Sequence, residues 1–151
     1  MKKVILLSVI LVWLLPNLFS CGEEINAYEA LREFVLAYGA EGVIYSPEIE
    51  EGQEGYIPNG LIERIYNYWG EFPENYAVLL NSRTEDFFEC GVFVCDDADS
   101  LLSIEEACRE RIGLLTKGEG QGFIKISRMT VFYAVLEDRE RAEEIWREII
   151  R

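Results

Sequence analysis

The chain reads as an α+β protein, and two features of its apolar pattern lead there. Before Pro73 the apolar residues recur at helical spacing, whereas after it they fall into short β-branched and aromatic runs. From that point the order strand, strand, helix occurs twice. Two such units predict a four-stranded antiparallel sheet with helices packed on one face, preceded by two N-terminal helices.

Taken in order, the chain opens with Lys2 and Lys3, an apolar run of 12 residues from Val4 to Leu15, and a short exit to Cys21. A basic start, an apolar centre and a short exit segment make an export signal over residues 1–20. The run is too short to span roughly 30 Å of hydrocarbon, which takes about 20 helical residues. Leu18-Phe19-Ser20-Cys21, followed by Gly22, resembles the lipobox of bacterial lipoproteins, although Phe19 departs from the small or β-branched residue usual there. The resemblance implies that Cys21 is acylated on its sulfur and becomes the mature N-terminus. Two acyl chains, at about 0.8 kcal/mol per buried CH₂, anchor stably where one does not. An ordinary secretory signal with an incidental cysteine is the alternative. Residues 21–25 then form a lipidated tether, and residues 26–151 a single α+β domain.

A first helix begins at Asn26, which has capping-box spacing with Glu29. Its stripe is Ala27, Ala30, Leu31, Phe34, Val35 and Tyr38, and Gly39 is its stop. Residues 40–58 hold several glycines, two prolines and acids from Glu48 to Glu54, so they read as a long surface loop. A second helix runs from about Asn59 to Gly70. Strands follow over Tyr76–Leu80 and Phe88–Cys95, around a turn from Ser82 to Asp86, with Phe88, Cys90, Val92 and Val94 forming one apolar face. The next helix spans about Ser100 to Leu115, with Ser103 and Glu106 at capping-box spacing and Asp97 as an alternative start. Strands Phe123–Ile126 and Val131–Leu136 and a helix from Arg139 to Arg151 complete the chain. The E-E-x-x-R-E-x-I pattern of Glu105–Ile112 recurs at Glu143–Ile150, and Val92-Phe93 aligns with Val131-Phe132, which suggests a duplication.

Composition excludes several functions. Lys2 and Lys3 are two of the 14 basic residues, so the mature part carries 12 bases against 28 acids, a formal charge of −16. Such a surface repels nucleic acid and anionic headgroups. The absence of histidine removes the commonest general base and transition-metal ligand. Besides Cys21 there are Cys90, Cys95 and Cys108, an odd number that cannot all pair within one chain. Cys90 and Cys95 point to opposite faces of one strand, about 16 Å apart, so they cannot bridge. Cys108 meets Cys90 only if its helix packs on that face, and buried free thiols are the favoured state.

No motif carries catalysis or a cofactor. Asp96-Asp97-Ala98-Asp99 lacks the glycine and the closing glutamate of a calcium loop and fits a helix start better. Gly118, Gly120 and Gly122 lack the Lys-Ser/Thr of a phosphate loop. Arg111 borders an apolar stripe, either snorkelling or paired with a carboxylate, and Arg83 and Arg128 stand at the two hairpin turns. These three arginines are candidate anion or ligand contacts. Tyr56, Tyr66 and Trp69, within the aromatic stretch 45–76, are a candidate binding patch, with a core role as the competing reading.

Tyr76 to Ile112 and Val131 to Ile150 resemble, in pattern, a family of small uncharacterised Gram-positive lipoproteins with an acidic α+β domain of this length, a domain of unknown function. The resemblance implies a surface-anchored domain and supplies no activity. The expectation is a lipid-anchored extracytoplasmic protein, non-catalytic and without metal or cofactor. Its partners are the membrane, through Cys21, and an unknown protein or cell-envelope component. The alternative is a secreted glycan- or cell-wall-binding module using the aromatic stretch.

Overall fold

The structure, a computed structural model, describes residues 25–80, 88–117 and 122–151. The leader, Cys21, the Ser82–Asp86 turn with Arg83, and Gly118 and Gly120 lie outside the described residues. The described elements run α1 (Ala27–Tyr38), β1 (Ile44–Tyr45), α2 (Asn59–Ile65), β2 (Asn75–Leu79), β3 (Glu89–Val94), α3 (Ala98–Thr116), β4 (Gly122–Ser127), β5 (Thr130–Val135) and α4 (Arg139–Ile149). The fold is α+β, with a fully antiparallel sheet of five strands in the order β1-β2-β3-β5-β4.

Local chemistry explains the element ends. Asn26 Oδ1 accepts the Glu29 N–H at 2.9 Å and starts α1. Gly39, in the left-handed region at φ 81°, returns its N–H to the Val35 and Leu36 carbonyls and ends it. Asn75, at the start of β2, clasps the same helix start: its Oδ1 accepts from Ala27 N–H and its Nδ2 donates to the Ile25 carbonyl, both at 2.9 Å. Asp138 caps α4 through the Arg141 N–H at 3.0 Å. Helix α3 starts at Ala98, earlier than Ser100, because Asp97 Oδ1 takes the Ser100 N–H at 2.7 Å. Ser103 is therefore not a cap, and its hydroxyl donates back to the Asp99 carbonyl.

Three expectations about the sheet need correction. It has five strands because residues 40–58 are not all loop: Ile44 and Tyr45 pair with Leu79 and Val78 as an edge strand. The rest of that segment closes on itself through a bridge between Ser46 and Tyr56. The helices cover both faces. Helices α1 and α4 pack with Ala77, Cys90, Val92, Phe132 and Ala134 on one side, and α2 and α3 pack with Tyr76, Val78, Phe93, Val131 and Tyr133 on the other. Burial on two sides is why β5 is buried at every position.

The duplicated units also fail to superpose. A two-fold axis normal to the sheet, between β3 and β5, carries one hairpin onto the other and leaves each helix on its own face. Helices α3 and α4 lie on opposite faces. The aligned Val92 and Val131 likewise point to opposite sides. An odd sequence offset reverses the face of a strand residue, so the helix likeness reflects shared Glu-to-Arg spacing on exposed turns.

Candidate binding groove

On the α2–α3 side the sheet carries its one charged side chain that is almost fully buried among the described residues. Glu89, 1% exposed, sits on β3 with Gly91 and Phe93. Arg111 of α3 reaches it with two parallel bonds, Nε to Oε1 and Nη2 to Oε2, each 2.8 Å. Tyr133 donates its hydroxyl to Oε1 at 2.7 Å. That bond uses the Tyr133 proton, so in the 2.5 Å contact between the two tyrosine hydroxyls Tyr66 is the donor. Gly91 leaves room for this chain, since a Cβ there would stand 2.7 Å from the Tyr133 ring. The Glu89 bonds raise the Arg111 pKa and hold the guanidinium charged. Burial pushes the Tyr66 and Tyr133 phenols well above their ordinary value, with the Glu89 charge adding to this.

Above this network the chain leaves α2 in a tight reversal. Asn67 takes a left-handed conformation at φ 51°, and the Tyr68 N–H returns to the Glu63 carbonyl at 2.8 Å. This is why α2 stops at Ile65 and does not continue to Gly70. The Tyr68 ring packs edge-on against Phe72 with centroids 5.4 Å apart. Gly70 lets that ring cross the backbone, because a Cβ there would lie 2.9 Å from it. With the residues on either side fixed, Trp69 stands out at 92% exposure.

Two hollows meet along this edge and share Asn67 and Glu110. One, of about 290 Å³, lies between Tyr68, Trp69, Ser103, Glu106 and Glu110. The other, of about 360 Å³, is more apolar, with Tyr66 and Arg111 beside Ile65 and Leu114. Together they form a groove between the 65–70 segment and α3. Its aromatic wall suits stacking, and its carboxylates suit a hydrogen-bonding or cationic group.

The candidate residues read from the sequence do not gather as expected. Tyr66 is buried, 2% exposed, in a ring cluster with Phe72, Phe93 and Tyr133, so it is not part of a surface patch. Tyr56 is half-buried beside Ser46 in the closed loop, and of the three only Trp69 is a surface ring. Arg111 is not held open for an anion, because its carboxylate is the chain's own Glu89. Arg128 is exposed at the β4–β5 turn, while Glu89 pairs with Val135 at the far end of β5, so these two arginines do not share a site.

Cys90 lies in the α1–α4 core, while Cys95 and Cys108 lie in the α2–α3 core. All three are free thiols, and burial pushes the pKa of each up. Cys108 therefore packs on the face opposite to Cys90. Among the described residues no group of three or more acids or thiols is placed to hold a metal, and no helix is long and apolar enough to cross a membrane.

Glu89 is the residue that sequence reasoning missed. Its signal was a lone acid in the otherwise apolar run from Phe88 to Cys95, facing the helix that carries Arg111. Comparison with known proteins finds no matching family, no curated relative and no similar solved structure.

Proposed function

We propose that this is a lipid-anchored binding or accessory protein on the outer face of the cell membrane, held there through Cys21 and without catalytic activity. The observation that carries the binding role is Trp69, 92% exposed on a segment whose neighbours are locked, above a groove that has room for a ligand group. A large ring kept in water by a fixed backbone is the residue type that anchors interfaces. The anchoring role rests on the leader and on the likeness of Leu18–Cys21 to a lipobox. The non-catalytic role is supported by thiols with raised pKa, which are poor nucleophiles, and by the neutralisation of Glu89 by Arg111.

Cells expressing the protein and fed labelled fatty acid should label the wild type and fail to label Cys21→Ala, which should appear in the medium. Equal labelling of the two would overturn the anchor. Trp69 beside carboxylates and an amide also favours a second reading, a secreted glycan-binding module. Retention on cell-wall polysaccharide that disappears with Trp69→Ala, in a protein that takes up no fatty acid, would select that reading.

A further inference from the structure

We infer that the hollow beside Trp69 takes a cationic side chain, the ammonium of lysine or the guanidinium of arginine, presented by a basic protein segment. The inference rests on the reading of this groove as the binding face and names the chemistry of its occupant. Glu106 and Glu110 stand one turn apart on α3, both exposed, and both line the hollow. Like charges at i,i+4 cost an isolated helix a few tenths of a kcal/mol. Elsewhere on the same helix Glu105 is matched by Arg109, whereas Glu106 and Glu110 have no ion-pair partner among the described residues. No basic residue lines the hollow, and Trp69 and Tyr68 stand against its acidic wall.

An aromatic face beside two unmatched carboxylates is complementary to a cation with an apolar stem: the charge sits between the acids and the stem or plane lies on the indole. A neutral sugar would use the ring and leave the carboxylate charge unmatched. The formal charge of −14 over the whole chain draws basic partners toward the site.

The test uses the full chain in detergent with fluorescently labelled tetralysine and tetraarginine peptides, read by anisotropy at two salt concentrations. Both peptides should bind, tetraarginine more tightly. Trp69→Ala and the pair Glu106→Gln/Glu110→Gln should each weaken binding about tenfold, as loss of a cation–π or close charge contact of about 1.4 kcal/mol would. The matched pair Glu140→Gln/Glu144→Gln removes the same charge from exposed positions on α4, on the other side of the sheet, and should change affinity less than about twofold, since it alters only the long-range field. Equal weakening by the two pairs would overturn the inference, because binding would then follow net charge alone. Binding of a neutral oligosaccharide that depends on Trp69, with no binding of either peptide, would overturn it and keep the groove as the binding face. Loss of all Trp69-dependent binding would remove both readings.

Discussion

The two faces of the sheet solve the same burial problem by different means. On the α1–α4 side, Trp146 stacks on Phe132 with centroids 4.2 Å apart, and Phe34 meets Phe132 edge-on at 4.8 Å. On the α2–α3 side, an ion pair and two tyrosine hydroxyls take up the centre. The first face is held by shape and dispersion, which tolerate no void. The second is held by satisfied polar groups, which tolerate no missing partner. The candidate groove lies over the second. A wet edge above a polar network leaves Trp69 and Tyr68 well placed without opening the apolar core.

The largest test of this contrast sets Trp146→Ala against Glu89→Ala. Each should lower stability by about 3–5 kcal/mol in denaturant unfolding, the first by opening a cavity and the second by stranding Arg111. The remedy separates them. Glu89→Leu with Arg111→Met should recover part of the loss, since no charge is stranded and only one tyrosine hydroxyl proton is left without an acceptor, whereas no single partner change repairs Trp146→Ala. A double variant as unstable as Glu89→Ala would show that the pair itself is a net stabiliser.

A smaller effect comes from alkali. The phenols of Tyr66 and Tyr133 are raised well above their ordinary value and that of Tyr76 to about 12, all by burial first, and the Cys108 thiol is raised by burial too. The folded chain therefore keeps protons that the unfolded chain gives up. Stability is full below the unfolded thiol and tyrosine values, about 8.5 and 10, and falls as pH rises past them. These four groups lie on the α2–α3 face, where Cys95 and Tyr68 are raised too, whereas on the other face Cys90 is the raised group among the described residues. Cys90→Ala should flatten the decline between pH 9 and 11 more than Tyr66→Phe does, because the unfolded thiol gives up its proton at lower pH than the unfolded phenol, as read from urea midpoints. The smallest effect is Trp69→Ala, which should shift stability by less than about 0.5 kcal/mol because the ring is almost wholly in water.

How much of this was legible in the sequence follows the same division. The α1–α4 face was read best: Asn26, Gly39 and the Ala27-to-Val35 stripe behave as their spacing says. The α2–α3 face was read poorly, because its cues are not periodic. Tyr66 falls at the spacing of a core residue and also in an acidic, aromatic stretch, and only the Asn67 reversal decides which applies. Arg111 was recognised as a guanidinium near the core, but its partner lies 22 positions away, and strand register, not helix spacing, brings it there. Strand β1 escaped because two residues show no alternation, and its pairing is fixed by β2. The second covering layer was foreshadowed by the uniformly apolar Val131–Leu136, whose lack of a polar side left no face for solvent.

The Asn75 clasp has a geometric consequence for a chain moored at Cys21. It seizes the backbone at Ile25, so only three residues, four Cα steps or about 14 Å at full stretch, would separate such a mooring from rigid protein. A domain of this size has a radius of gyration of roughly 14 Å, so the leash is no longer than the body's own half-width. The globule could not roll freely: one hemisphere would stay pressed toward the headgroups, and any visitor would have to arrive at the other.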